Sequence, residues 1–250
     1  MNQISNSTVL KLPNTAFIDC DGCLYTHTQT CFPRMADVAG DVVHRVTGLS
    51  RQQASERSTI SFAKSRDAFA TFIPDHGEAA YRDMHREFDR VARNDTYGVM
   101  NPAIPDLIEE MASHISVYIV SHTTEDALKT MLGRMRFAKD LIDNRTIGMD
   151  TFETSQGWLR KDRMENSVLA AVAERDGIDL SRAVLFEDSK TNITISLSHG
   201  LGAGYLTEPD DSGGNLKDIL RHVIAEQKAT ADYRSHSLRE KAHARKAFCM

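Results

Sequence analysis

The stretch TAFIDCDG, residues 15–22, decides the fold, because a short apolar run ends there at two closely spaced carboxylates. Its first four residues are mostly β-branched or aromatic, which predicts a buried strand. Asp19 and Asp21 follow at once. Two carboxylates at positions i and i+2 can serve one site if the strand geometry breaks at that point. Alone, the Asp-x-Asp-Gly pattern is a weak signal, since many acidic turns contain it.

Two further apolar runs end in the same way. Residues 115–120 lead into Ser121, and residues 183–186 lead into Glu187 and Asp188. Strands that alternate with helical patterns predict a parallel sheet covered on both faces, a Rossmann-like three-layer α/β/α core. Ligands bind beyond the carboxyl ends of such strands, where these polar residues stand. Weaker strand patterns lie at 146–149 and 203–206, and helical patterns lie at 124–135 and 163–175.

Two segments complete the predicted organisation. Residues 193–197 alternate with period two, which is typical of a strand, but the architecture requires a helix there and we predict a helix. Residues 31–100 contain helix-like blocks at 36–47, 51–66 and 77–93 without a convincing strand. We therefore predict an α/β core from residues 1–30 and 101–228, a small helical cap domain at 31–100, and a basic helix or tail at 229–250.

Bulk composition excludes several classes of protein. The chain has 250 residues, of which 41% are hydrophobic and 26% charged, as in ordinary soluble globular proteins. Its net charge of −5 argues against a dedicated nucleic-acid binder. No apolar run is long enough for a membrane span, and the N-terminus has no signal-peptide pattern, so we expect a cytoplasmic protein. Cys20 and Cys23 form a C-x-x-C pair, but a zinc site needs further ligands and none stands at a suitable spacing.

The polar residues at the strand ends are sufficient for phosphoryl transfer. Asp19 supplies a nucleophile, Asp21 an acid/base group and Ser121 a hydroxyl for a phosphate oxygen. Lys161 supplies positive charge, and Glu187 with Asp188 completes a site for Mg²⁺, which prefers carboxylate oxygens. An anionic nucleophile repels an anionic phosphate, and positive charge around the transferring group removes this repulsion.

These residues, in this order, resemble the haloacid dehalogenase (HAD) superfamily over roughly residues 15–206. The resemblance implies a Rossmann-like core, Mg²⁺, an aspartyl-phosphate on Asp19 and a mobile helical cap. It implies metal ligation by Asp19, Asp21, Asp188 and Glu187, and phosphate binding by Gly22, Ser121, His122 and Lys161. The matching motifs are Phe17–Tyr25, Val120-Ser121, Lys161 and Phe186–Asn192.

Details of these motifs favour one branch of the superfamily. The family's dehalogenases lack the second aspartate of the first motif, so Asp21 favours phosphate chemistry. The segments 23–25, 47–50 and 121–124 resemble the pyrimidine 5′-nucleotidase-type branch. The chain departs from that branch at Gly22 and His122, where asparagine is usual, and after Lys161, where proline is usual.

We therefore predict hydrolysis of a small phosphate monoester, for example a nucleoside 5′-monophosphate. One alternative is a phosphomutase of the β-phosphoglucomutase type, and another is a non-catalytic regulatory or binding protein that kept the fold. Three residue roles stay open from the sequence. Glu187 either ligates the metal directly or holds a metal-bound water, Asn192 either orients Lys161 or caps a helix, and His122 either faces the phosphate or the cap or is simply packed.

Overall fold

The computed structural model describes residues 3–5, 12–27, 31–65, 67–92, 98–154, 157–161, 167–208 and 215–230. The predicted basic tail lies outside these residues from position 231 onward. Within the described ranges, no helix has both the length and the apolar character needed to cross a membrane.

A six-stranded sheet forms the centre of the core. Its strand order is β1-β10-β9-β2-β5-β6; β1 is an antiparallel edge strand and the other five strands are parallel. The central strand β2 lies between β5 and β9, so the chain connections diverge to opposite sides beside it. Its strands are β1 Gln3–Ser5, β2 Thr15–Asp19, β5 Ser116–Val120, β6 Thr146–Ile147, β9 Ala183–Glu187 and β10 Ala203–Leu206.

Helices cover both faces of this sheet, which confirms the predicted α/β/α core. Successive strand residues alternate between the faces: Ile18 packs with Ile104 and Leu128 on one side, and Phe17 packs with Leu169 on the other. Each such buried aliphatic or aromatic side chain contributes about 1.5–3 kcal/mol to folding. The helices of the core are α4 Ile104–Ala112, α5 Glu125–Arg134, α6 Lys139–Asn144, α7 Val168–Asp176, α8 Lys190–Ser198 and α9 over residues 216–230.

One local prediction about the core helices is confirmed, and a glycine defines the end of another helix. Gly177 ends α7 in the left-handed conformation, with φ 68° and ψ 35°. Residues 193–197 belong to α8 despite their alternating pattern, because Ser189 caps the helix and its Oγ accepts the Asn192 backbone N–H at 3.3 Å.

Three helices occupy the segment predicted as a helical insertion, hereafter the helical segment, residues 31–92. The first and third begin earlier than the predicted blocks, and the second begins at the predicted residue 51. Gly77 interrupts the third helix with a φ of 80°. A two-stranded ribbon of β3 and β4 joins the segment to the core, so its exit contains a strand that the sequence does not indicate. These elements are α1 Cys31–Thr47, α2 Arg51–Ser65, α3 Ile73–Ala92, β3 Thr26–His27 and β4 Gly98–Val99.

A second small ribbon links the helical segment to the core. Strands β7 Glu153–Thr154 and β8 Gly157–Trp158 form an antiparallel hairpin, hereafter the β7–β8 hairpin, just before Lys161. Trp158 is buried and belongs to the same hydrophobic cluster as Phe72, Tyr81 and Met84 of the helical segment. The apolar core of the segment therefore continues into the hairpin that leads to Lys161.

Candidate active site

The predicted site residues meet at the carboxyl edge of the parallel sheet. Asp19 ends β2, Ser121 follows β5 and Glu187 ends β9. The three side chains are buried, with residue exposures of 4%, 2% and 1%. Because β5 and β9 flank β2, these strands bring the three polar groups together at the point where the connections diverge, which is where α/β sheets bind ligands.

Lys161 makes the central contact of this site. Its Nζ forms ion pairs with Asp19 Oδ1 and, at 2.8 Å, with Glu187 Oε2, and it donates to the Val120 carbonyl at 3.4 Å. Burial opposes a charged ammonium, but the two carboxylates outweigh it and raise the pKa of Lys161. Lys161 is therefore a fixed positive charge against Asp19.

Asp19 lies among carboxylates as well as beside the lysine. Burial, followed by the charge of Glu187, raises the pKa of Asp19 above its ordinary value, while Lys161 acts in the opposite direction. Burial and the neighbouring Glu187 also raise the pKa of Asp188 to about 7. A carboxylate cluster of this kind gains from a nearby cation, since each negative charge disfavours the next.

One carboxylate oxygen from each of Asp19, Glu187 and Asp188 lies within 4.8 Å of the other two. Among the described residues, these three form a group that can hold a metal ion, hereafter the acidic group. This donor set of hard carboxylate oxygens fits Mg²⁺. Both Glu187 oxygens already accept hydrogen bonds, Oε2 from Lys161 and Oε1 from the Ser189 backbone N–H at 3.2 Å. That geometry favours the open alternative in which Glu187 acts through a water molecule.

Asp21 faces a different set of groups. Its Oδ2 accepts hydrogen bonds from Ser121 Oγ and Thr123 Oγ1, each at 3.2 Å, and its Oδ1 accepts one from the Tyr25 hydroxyl. The Asp21 carboxylate is thus held by three hydroxyl groups, whereas the Asp19 carboxylate pairs with Lys161. Sequence reasoning assigned no role to Tyr25 or Thr123, although both lie inside the quoted motifs.

Gly22 occupies a position that only glycine fits. Its φ is 79°, and a Cβ atom built there would lie 2.9 Å from Asp188 Cγ. Its N–H donates to the Tyr25 carbonyl at 3.0 Å. The close approach of Gly22 to Asp188 leaves no room for a larger residue; a contact of Gly22 with phosphate stays a prediction.

His122 and Asn192 have contacts that narrow their open roles. His122 is half-buried, and its Nε2 accepts the Lys161 backbone N–H at 3.1 Å, so it holds the lysine's main chain. Asn192 is buried, but Ser189 is the capping residue of α8, and Asn192 contributes its backbone N–H. Simple packing therefore does not account for His122, and helix capping does not account for the Asn192 side chain.

The C-x-x-C pair lies beside the site and remains as thiols. Cys20 and Cys23 are buried without a disulfide between them. Burial, and then the Asp19 charge, raises the pKa of the Cys23 thiol. In the described part of the chain, no group of possible metal ligands includes a cysteine.

The sequence did not indicate a set of contacts from the helical segment to the two loops that carry Ser121 and Lys161. Asp89 of α3 accepts hydrogen bonds from Thr124, and Asp67 forms a buried ion pair with Arg160. Partners 35 and 93 residues apart are placed together only by the tertiary fold.

Comparison with known proteins gives structural neighbours only. No family model matches the sequence, and no curated protein matches it. CbbY from Rhodobacter sphaeroides, in complex with xylulose-(1,5)bisphosphate, is 16% identical with a TM-score of 0.53, and the match covers 80% of this chain and 88% of that one. A predicted phosphoglycolate phosphatase from Haemophilus somnus is 15% identical with a TM-score of 0.51, covering 85% and 99%.

Further neighbours include a HAD family enzyme from Bacteroides thetaiotaomicron in a magnesium complex, 18% identical with a TM-score of 0.48, where the match covers 84% of this chain and 100% of that one. At these identities, structural similarity establishes the fold and leaves the nucleotidase-type branch as a prediction. The chain has the Rossmann-like α/β fold that CbbY and the predicted phosphoglycolate phosphatase share.

Proposed function

We propose that the chain is a Mg²⁺-dependent phosphohydrolase that cleaves a small phosphate monoester through an aspartyl-phosphate on Asp19. The observation that carries the proposal is the contact of one buried lysine, Lys161, with both Asp19 and Glu187 at the carboxyl edge of the sheet. A lysine in this place favours the charged form of Asp19, against the effect of burial and Glu187 on its pKa. It also places positive charge where the transferring phosphate would lie.

The proposed reaction has two displacements at phosphorus. In the first, an Asp19 oxygen attacks phosphorus, the bond from phosphorus to the substrate oxygen breaks, and Asp21 donates a proton to that leaving oxygen. In the second, Asp21 takes a proton from water, the water oxygen attacks phosphorus, and the bond to Asp19 breaks to release inorganic phosphate. Ser121, 3.2 Å from Asp21, is placed to donate to a phosphate oxygen during both steps.

The acidic group supports the assignment of a metal to this site. Asp19 and Asp188 would hold Mg²⁺ directly, Asp21 through its carbonyl, and Glu187 through a water molecule, since its oxygens are already engaged. When bound, Mg²⁺ supplies positive charge that offsets the repulsion between the nucleophile and the phosphate.

For the substrate class, the neighbours support small phosphorylated molecules. CbbY is described with xylulose-(1,5)bisphosphate, and the Haemophilus somnus protein is a predicted phosphoglycolate phosphatase. We therefore propose a small organic phosphate monoester as the substrate of this chain. A nucleoside 5′-monophosphate is the narrower proposal, and it rests on segments 23–25, 47–50 and 121–124 alone.

A screen of phosphate monoesters with and without Mg²⁺ tests the proposal. We expect phosphate release from at least one sugar phosphate, nucleoside 5′-monophosphate or p-nitrophenyl phosphate, abolished by EDTA and by Asp19→Asn. Asp106→Asn, an exposed aspartate on α4, is the matched control and should retain full activity. Product analysis by NMR distinguishes free phosphate from an isomerised sugar phosphate, which would identify a mutase.

Two results would contradict the mechanism. Full activity of Asp19→Asn would exclude this aspartate as the nucleophile. No turnover across the whole panel, together with no Mg²⁺ binding by calorimetry, would favour a non-catalytic binding protein.

A further inference from the structure

Asp89 in the last turn of α3 holds the loop that follows β5. The residue is 4% exposed, and its Oδ2 accepts hydrogen bonds from the Thr124 backbone N–H at 2.8 Å and from Thr124 Oγ1 at 2.7 Å. Thr124 is the N-cap of α5, yet its own side chain makes no capping bond within that helix. A carboxylate from the helical segment therefore binds the N-cap residue of α5, and its charge suits the positive end of a helix.

The same loop carries Ser121. It lies three residues before Thr124, and its Oγ accepts the Thr123 backbone N–H at 3.1 Å. Fixing Thr124 therefore fixes the short chain between the strand end and the helix, and with it the Ser121 hydroxyl that contacts Asp21.

A second contact holds the residue directly before Lys161. Arg160 is 4% exposed, and its Nη1 donates to Asp67 Oδ2 and to the Tyr81 hydroxyl oxygen, each at 2.5 Å. The Tyr81 hydroxyl donates to the same Asp67 oxygen at 2.8 Å, and His85 Nε2 lies 3.3 Å from the other one. Burial opposes the charge on Asp67, but His85 and Arg160 outweigh it and lower the pKa of that carboxyl.

The β7–β8 hairpin before Lys161 also rests on α3. The Trp158 ring is buried, and the guanidinium groups of Arg82 and Arg86 lie 5.6 and 5.3 Å from its centroid. Arg82 also forms an ion pair with Glu153 on the other strand of the hairpin. Helix α3 thus contacts Glu153, Trp158 and Arg160, which precede Lys161, through ionic, cation–π and hydrogen-bond contacts.

Together these contacts make motion of α3 away from the core costly. Moving α3 together with the loop before it, which carries Asp67, would break the buried contacts of Arg160 with Asp67 and with Tyr81. Moving it would also expose Trp158 and remove the acceptor of the Thr124 N–H. This differs from the mobile cap that the family resemblance implies.

We infer that α3 is a fixed support for the loops that carry Ser121 and Lys161, and that Asp89 and Arg160 are positioning residues for the proposed reaction. The expected effect on turnover rests on the proposed function, whereas the support of the two loops rests on the contacts alone. Neither residue touches the acidic group; each acts through the loop that it holds.

Hydrogen–deuterium exchange combined with kinetics tests this inference. The variants are Asp89→Ala, Asp89→Asn and, as a matched control on the same helix, Asp75→Ala, whose side chain is exposed and pairs with Arg57 of α2. In Asp89→Ala we expect amide exchange at residues 121–125 to accelerate about 10- to 100-fold, the factor for losing hydrogen bonds to a charged group. We expect kcat to fall about as much while KM changes little. Asp89→Asn should restore most of both, because its amide oxygen accepts the same two hydrogen bonds.

Tyr81→Phe provides a milder test at the second contact, because it removes one hydroxyl and no charge. We expect faster exchange at residues 157–161, a lower kcat and unchanged exchange in β2 and β9. The inference would be overturned by exchange at 121–125 in Asp89→Ala that matches the wild type. Acceleration spread evenly over the central strands would overturn it as well, because that pattern reports a general loss of stability.

Hydrogen–deuterium exchange of the wild-type protein tests this inference independently of the proposed function. Protection of α3 equal to that of the central strands supports the fixed support even if no phosphate ester is turned over. Exchange of α3 that is far faster than that of the sheet would show a lid that opens independently, and would overturn the inference even if phosphatase activity is found.

Discussion

Replacing Gly22 by alanine tests the packing of the proposed metal site with one methyl group. A left-handed conformation costs a non-glycine residue about 1–2 kcal/mol. The new Cβ would also lie 2.9 Å from Asp188 Cγ, well inside van der Waals contact, so the Asp188 side chain must move. Because displacing the groups around a metal ligand typically weakens metal binding 10- to 100-fold, we expect a loss of Mg²⁺ affinity of about that size.

Gly177→Ala is the matched control for this prediction. Gly177 has a φ of 68°, close to the 79° of Gly22, but a Cβ there would have no other atom within 4 Å. Both variants should lose about 1–2 kcal/mol in urea unfolding from backbone strain. Only Gly22→Ala should lose Mg²⁺ affinity in isothermal titration calorimetry. If Gly22→Ala loses stability in urea unfolding but keeps the wild-type Mg²⁺ affinity, Asp188 does not belong to the metal site.

Three further predictions concern buried ionisable groups. Lys161→Met should abolish turnover and lower the free energy of unfolding by about 3–5 kcal/mol, because it leaves buried Asp19 and Glu187 uncompensated; unchanged urea unfolding would contradict this. The pKa of Asp67 is lower in the folded state, so its contribution is complete above about pH 4 and is lost as the pH falls below that. Asp67→Asn should therefore flatten the stability–pH curve between about pH 4 and 2. Cys23 should resist alkylation at pH 8 in the native protein and react on unfolding, as measured by peptide mass spectrometry.

The sequence predicted which polar residues meet at the edge of the sheet, because their meeting follows from strand topology. Asp19, Ser121 and Glu187 each end an apolar run, and parallel strands bring such ends to one edge. Residues 193–197 show the limit of local pattern: their alternation favoured a strand, and the tertiary architecture correctly favoured the helix. In both cases the order of strands and helices was more informative than any single segment.

The supporting contacts could not be predicted in the same way. Asp89 and Asp67 lie in a segment with many charges, where a buried carboxylate and a solvated one look alike in sequence. Their partners, Thr124 and Arg160, are chosen by the packing of α3 against distant loops. The β7–β8 hairpin was missed because strands of two residues carry no periodicity.

The β3–β4 ribbon has a consequence for how this protein can be altered. Thr26–His27 pairs with Gly98–Val99, so the chain leaves and re-enters the core at adjacent positions. Everything between them is a single excursion that the order of the central strands does not require. A chimera that replaces residues 28–97 with a short turn should therefore keep its sheet. It would lose Asp67 and Asp89 together, so any segment transplanted there must bring its own partners for Arg160 and Thr124.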